Sequence, residues 1–214
     1  MFFPYKDDNP RILFPFITYG IIGLNIFVFV YQYFFIPNEL FEGFIKSYAL
    51  TPASPRVLTI FSSMFMHGSL THITFNLWFL WIFGDNIESV LGHKKYLLFY
   101  LLCGIGAGLS QIQINPGSTI PMVGASGAIA GVLGAYLFRF PRATVHVMVI
   151  LIIFISFIRV PAMIVIGFWF LSNLISGIGT LGIEETGGTA WFAHIGGFIS
   201  GVLFNYIFKM IRIE

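Results

Sequence analysis

Charge is scarce in this chain: 9% of its 214 residues are Asp, Glu, Lys or Arg, against about 25% in an ordinary soluble domain. With 57% hydrophobic residues and a mean hydropathy of +0.88, a soluble globular class is excluded. A formal net charge of +2 offers no basic surface for nucleic acid. Cys103 stands alone, so no internal disulfide can form, and thiol content says nothing about compartment. Asp7, Asp8 and Asp85 are the only aspartates, and Asp85 alone falls in an apolar run, which leaves no intramembrane carboxylate pair for an aspartyl protease. H-E-x-x-H is missing, and with it the ligand pair of a zinc protease; phosphate-loop and dinucleotide fingerprints are missing too. Neither a metal nor any other cofactor is expected. The first apolar run follows a charged segment and lacks an A-x-A-like exit, so it reads as a span that stays. No repeat, low-complexity tract or linker divides the chain, and a single domain over 1–214 is expected.

What the chain has is a series of continuous apolar runs. Near-20-residue stretches bounded by charge or by Gly/Pro clusters are candidate spans, and these fall at about 15–36, 70–90, 95–113, 160–178 and 190–208. A sixth, 124–138, is short but bracketed by the Asn115–Pro121 loop and Arg139. Continuous runs argue for helices over a barrel. The 14-residue run 145–158 is too short to span and is broken off by Arg159-Val160-Pro161, so it reads as interfacial or re-entrant. Six spans with both termini cytoplasmic put Lys6, Arg11, Lys94, Lys95, Arg139, Arg142, Arg159, Lys209 and Arg212 inside, and only Lys46 and Arg56 outside. That asymmetry follows the positive-inside rule; a seventh span would spoil it. The outer loop 179–189 carries Glu184 and Glu185 but no Lys or Arg, and the long loop 37–69 has an apolar lead suited to the interface. The fold class expected is an all-α polytopic bundle of six transmembrane helices.

Polar groups in such runs are expensive to bury and read by default as a working site. Ser126, in Gly124-Ala125-Ser126-Gly127, opens the fourth span, and His194, in Ala193-His194-Ile195-Gly196-Gly197, opens the sixth. Ser126 lies 13 residues before Arg139 and His194 lies 15 before Lys209, or roughly 20 and 22 Å of helix. Both therefore sit at nearly one depth, roughly 10 Å below the outer surface of a 30 Å core. Gly124, Gly127, Gly131 and Gly134 on one span, and Ala193, Gly197 and Gly201 on the other, are small-residue faces that let helices meet backbone to backbone. Such contact would bring a hydroxyl nucleophile to its usual base. The plainer reading has the glycines only packing helices and Ser126 bonding back to a carbonyl; the matched depth of His194 weighs against it. His72 and Asn76 share a face of the second span, where an amide or imidazole N–H can donate to a developing oxyanion. Interhelical hydrogen bonding is their plainer role. The Ser126 backbone N–H, at a helix N-terminus, would be a further donor.

These residues resemble the rhomboid family of intramembrane serine proteases. Phe65-Met66-His67-Gly68-Ser69, His72-x-x-x-Asn76, Glu88-x-x-x-Gly92-x-x-x-Tyr96, the G-x-S-G around Ser126 and Ala193-His194-x-x-Gly197-x-x-x-Gly201 carry the likeness over nearly the whole chain. The resemblance implies a Ser126–His194 dyad without an acidic third member, and an oxyanion hole of His72, Asn76 and the Ser126 N–H. It further implies transmembrane substrates, cut in the bilayer near the outer face, with a helix end weakened by Gly, Pro or polar residues and a small residue before the cut. The six-span form resembles the prokaryotic branch, hence a cell (inner) membrane with the site open to the external side. The fifth span, with Phe168, Trp169 and Phe170, reads as a lateral gate. Two positions depart from the family pattern: Pro55-Arg56 lacks the tryptophan of a common Trp-Arg pair, and Ala130 stands where some members put a tyrosine under the histidine. Support for the His194 ring must then come from elsewhere. The competing class is a catalytically inactive relative that binds transmembrane clients; a transporter or channel is disfavoured because no inverted repeat is present.

Overall fold

The computed structural model describes residues 2–151, 154–181 and 188–210. Glu184 and Glu185 of the expected outer loop and Arg212 of the inner tail lie outside the described residues. Helices form over all six apolar segments: α1 (Phe16–Phe34), α4 (Leu70–Leu91), α5 (His93–Ile114), α6 (Ser126–Arg139), α7 (Ala162–Gly179) and α8 (Trp191–Met210). The loop 37–69 is built from two short helices, α2 (Asn38–Tyr48) and α3 (Val57–Ser62), and a 3-10 turn at Ser63–Phe65. By length and composition α1, α5, α7 and α8 are able to cross a membrane.

Local chemistry sets the helix ends. The Ser69 hydroxyl caps α4 by accepting from the His72 N–H at 3.1 Å. One residue, Gly92 at φ 75°, joins α4 to α5, a backbone conformation that a side chain would strain. At the start of α1, Pro15 has no side-chain donor or acceptor, so the orphan N–H groups of Ile17 and Thr18 go to the buried carboxylate of Glu88 on α4, at 2.9 and 2.8 Å. His93 Nδ1 lies 2.6 Å from the same Glu88 Oε1 that accepts from Ile17. Glu88 of α4 therefore joins the starts of α1 and α5.

Helix α6 is the centre of the bundle. Every residue from Gly127 to Tyr136 is buried, and the helix packs on α4, α5, α7 and α8. In lipid no hydrophobic force pulls helices together, so close backbone packing has to. The small-residue faces supply it: a Cβ on Gly197 would be driven into the Gly127 carbonyl, and one on Gly201 into the Gly131 carbonyl. Gly127 itself packs on Ala107 and Gly131 on Cys103, both of α5.

The all-α expectation needs correction. Strands β1 (Phe2–Asp7), β2 (Thr144–Leu151) and β3 (Phe154–Pro161) form an antiparallel sheet in the order β1-β2-β3. The stretch 145–158 falls within the paired strands β2 and β3, and its period explains why. Val145, Val147 and Val149 are buried while His146 and Met148 between them are partly exposed, an alternation of two that β-branched residues favour. The sheet lies against α4 and α7 and reaches the end of α6 away from Ser126 through Asp7 and the Tyr136 hydroxyl, and Trp78 of α4 donates its indole N–H to the Pro4 carbonyl at 2.6 Å.

Candidate active site

Ser126 is the first residue of α6, reached through Gly124 at φ 131°. Gly124 is held in place by its N–H donating to the Ser63 carbonyl at 2.9 Å. A Cβ on Gly124 would lie 2.8 Å from the His72 Nε2 and 3.6 Å from the Ser126 Oγ, so the bare glycine lets the imidazole edge and the hydroxyl flank one point. His194 is in the first turn of α8, and its Nε2 lies 2.7 Å from the Ser126 Oγ.

Around this pair is a cleft of about 870 Å³ lined by Ser126, His194, His72, Asn76, Trp169 and Trp191, among others. The four polar side chains expected at a site thus share one cavity, and Gly127, Gly131, Gly197 and Gly201 form the packing seam beneath it. Asn76 is only 7% exposed, yet its Nδ2 has no protein partner among the described residues. A buried amide donor without an acceptor is costly, and this one borders the cleft.

His67, outside the helices, is fully buried and sits edge-on to His72 with ring centroids 5.1 Å apart. Burial, with His72 beside it, pushes the His67 imidazole down to about 3, so it is neutral at any physiological pH.

The question raised by Ala130 is answered by α7. Asn173 accepts at Oδ1 from the His194 Nδ1, 2.6 Å away, and its Nδ2 donates to the Trp169 carbonyl at 2.7 Å. The rings of Trp169 and Trp191 lie 5.7 and 6.3 Å from the imidazole. Sequence reasoning passed over Asn173 and Trp191 and took Trp169 only as part of a gate. The signal was available, since Trp169 and Asn173 are one turn apart in an apolar run, and an asparagine there merits the same suspicion as Asn76.

The remaining polar residues serve joints. Arg11 pairs with Asp85 at 2.9 Å and His146 with Asp8 at 2.7 Å. Asp85 also has a carboxylate neighbour that the spans did not suggest, because Asn86 Nδ2 donates to both Asp85 (2.8 Å) and Asp7 (3.0 Å).

A mostly helical, multi-pass membrane chain with a serine and a histidine facing each other in a buried cleft defines the class. Its family follows from comparison: the Rhomboid domain matches residues 54–211, and the chain belongs to the rhomboid family. It is 28% identical to Rhomboid protein 1, mitochondrial, of Saccharomyces cerevisiae over 98% of this chain and 57% of that protein. It is 34% identical to presenilin-associated rhomboid-like protein, mitochondrial, of Bos taurus over 58% of this chain and 33% of that protein. With rhomboid protease GluP of Bacillus subtilis the identity is 38%, over 34% of this chain and 14% of that protein. The chain therefore spans between a third and just over half the length of the yeast and bovine relatives.

Proposed function

We propose that this chain is an intramembrane serine endopeptidase with Ser126 as nucleophile and His194 as general base and acid. The observation that carries the reading is the 2.7 Å contact between the Ser126 Oγ and the His194 Nε2, with the unpartnered Asn76 amide beside it. His194 takes the hydroxyl proton as Oγ attacks the scissile carbonyl. His72, Asn76 and the Ser126 N–H donate to the oxyanion; His194 then protonates the leaving amine, and water hydrolyses the acyl-enzyme.

In this proposal all six long helices cross the bilayer, both termini face the cytoplasm and residues 1–214 act as one domain; the positive-inside asymmetry supports it. The cleft then opens outward, which supplies water to a site roughly 10 Å deep. Substrates are transmembrane proteins whose outer helix end unwinds readily, since an intact helix hides its carbonyls in hydrogen bonds. A small residue precedes the cut. For location we infer a prokaryotic cell membrane, in keeping with the bacterial relative; identity to the two mitochondrial proteins favours a mitochondrial membrane as second reading, and fractionation of the source cell decides.

The alternative is a client-binding relative without catalysis, favoured by one fact: of the three relatives, only GluP is named a protease. Cleavage of a single-span substrate in liposomes tests the choice. Wild type is expected to cut, with Ser126→Ala and His194→Ala slower by about a thousandfold or more. Equal cutting by all three assigns the activity to other residues, and no cutting of several weakened substrates moves the client-binding reading ahead.

A further inference from the structure

We propose that Asn173 is the positioning residue of this site, fixing from α7 the tautomer and orientation in which His194 acts as a base. The inference rests on the protease reading above and extends it to a residue outside the dyad.

The hydrogen-bond inventory has one consistent solution. The Trp169 carbonyl can only accept, so the group 2.7 Å from it is the Asn173 amide NH2 and the amide oxygen faces His194. That oxygen can only accept as well, so the His194 Nδ1, 2.6 Å away, carries the ring proton. A neutral imidazole has one N–H. Its Nε2 is then the bare nitrogen, and it is the Nε2 that faces the Ser126 hydroxyl at 2.7 Å. The chain runs from backbone carbonyl to amide to imidazole to hydroxyl, each member turned by the one before. Without the first link either ring nitrogen can hold the proton, and a His194 protonated at Nε2 cannot accept from Ser126.

Packing makes the link stiff. Asn173 is 3% exposed, and the buried positions of α7 are Ala162, Ile166, Asn173 and Gly177, a single stripe along a helix otherwise turned outward. Gly177 lets that stripe close on α8: a Cβ there would meet the Trp191 Cβ at 3.3 Å and the Ile195 Cδ1 at 3.2 Å. Trp169 covers one side of the imidazole and Trp191 approaches edge-on from another. The amide thus occupies the place of a third catalytic-site member, contributed by a helix separate from those bearing Ser126 and His194. It is neutral, so it orients the ring without adding the charge an aspartate would.

The test compares Asn173→Ala, Asn173→Leu and Asn173→Asp with wild type in liposomes, each normalised to the folded fraction by thermal melting. Leaving the buried Nδ1–H without an acceptor is expected to lower kcat about ten- to a hundredfold in the Ala and Leu variants, with KM within about twofold. Asn173→Asp is expected to restore kcat and to move the acidic limb of the pH–kcat profile upward, because a carboxylate stabilises the imidazolium. A kcat within about twofold of wild type in Ala and Leu overturns the proposal, as does a change confined to KM or an Asp variant with the acidic limb of wild type. Nitrogen-15 NMR of the ring reads the tautomer independently of turnover. Wild-type His194 is expected protonated at Nδ1, with a mixture in Asn173→Leu; an unchanged tautomer in that variant overturns it. Should wild type cut nothing, the protease reading fails while the tautomer measurement still decides the role of Asn173.

Discussion

The two ends of α6 carry polar clusters of opposite character. At the Tyr136 end, Asp7 accepts from the Tyr136 hydroxyl at 2.5 Å and from Asn86 at 3.0 Å, Asn9 donates to that hydroxyl at 2.7 Å, and Arg11 closes on Asp85 at 2.9 Å. Each of these groups finds a partner within the protein. At the Ser126 end, the chain from Trp169 through Asn173 and His194 to Ser126 is complete, but the Asn76 Nδ2 and both ring nitrogens of His67 have no protein partner among the described residues. Buried polar networks strengthen a fold when every member is satisfied and weaken it when some are not. The Tyr136-end cluster is therefore a clasp between the sheet and the bundle. The cluster at the Ser126 end keeps hydrogen-bonding capacity in reserve, as the proposed oxyanion site would require.

The largest effect should come from cutting the connection between the two ends. Gly201→Val would drive a side chain into the Gly131 backbone at the α6–α8 seam, and we expect a loss of about 3 kcal/mol or more. A poor yield of monodisperse protein and a lowered Tm would register it; a variant melting like wild type would show that the seam yields. Next comes Asn76→Ala. It removes a donor with nothing to donate to in the free protein, so Tm should stay put while kcat falls about a hundredfold, the usual worth of one oxyanion donor. If Tm falls and kcat does not, Asn76 belongs with the clasp.

Most of this organisation could be read from the chain, and what could not has physical reasons. The six apolar segments became helices within a few residues of their expected limits, because long unbroken apolar runs suit little else in a membrane. Depth arithmetic placed Ser126 and His194 level, and the Gly127/Gly131 and Gly197/Gly201 faces told which helices would touch. The sheet was missed at 145–158 because its length was weighed against a membrane span while its alternation of Val145, Val147 and Val149 was not. Strand β1 rests on pairing with residues more than a hundred positions away, which no local pattern reveals. Asn173 was overlooked for a similar reason: its role exists only where α7 meets α8.

Asp7→Ala tests the clasp from the other side. It strips the Tyr136 hydroxyl and Asn86 of an acceptor, and leaving buried donors unmade costs about 1–3 kcal/mol. Stability should drop by that order in thermal melting, while kcat per folded molecule stays within about twofold. A kcat loss much larger than this would mean that the Tyr136 end sets the geometry of the Ser126 end through α6.

The smallest effect is a difference between two pH slopes. His67 is held far below its ordinary value of 6.5 by burial, so its contribution to stability is full above 6.5 and is lost as pH falls toward about 3. Asp7 goes the other way. Burial, against the Tyr136 hydrogen bond and with the Asp85 charge adding to it, raises its carboxyl above 3.8. Its contribution is then full below 3.8 and is lost as pH rises through the raised value. In wild type the two trends oppose each other from pH 3.8 up to the raised value of Asp7, and the net change in Tm there should amount to a few degrees at most. Single substitutions separate them. Asp7→Asn leaves the His67 trend uncovered, so Tm should fall more steeply than in wild type on acidification. His67→Leu leaves the Asp7 trend, so Tm should hold or rise over the same interval. Parallel profiles in the two variants would mean that the ends of α6 do not carry the opposed burdens their hydrogen bonding implies.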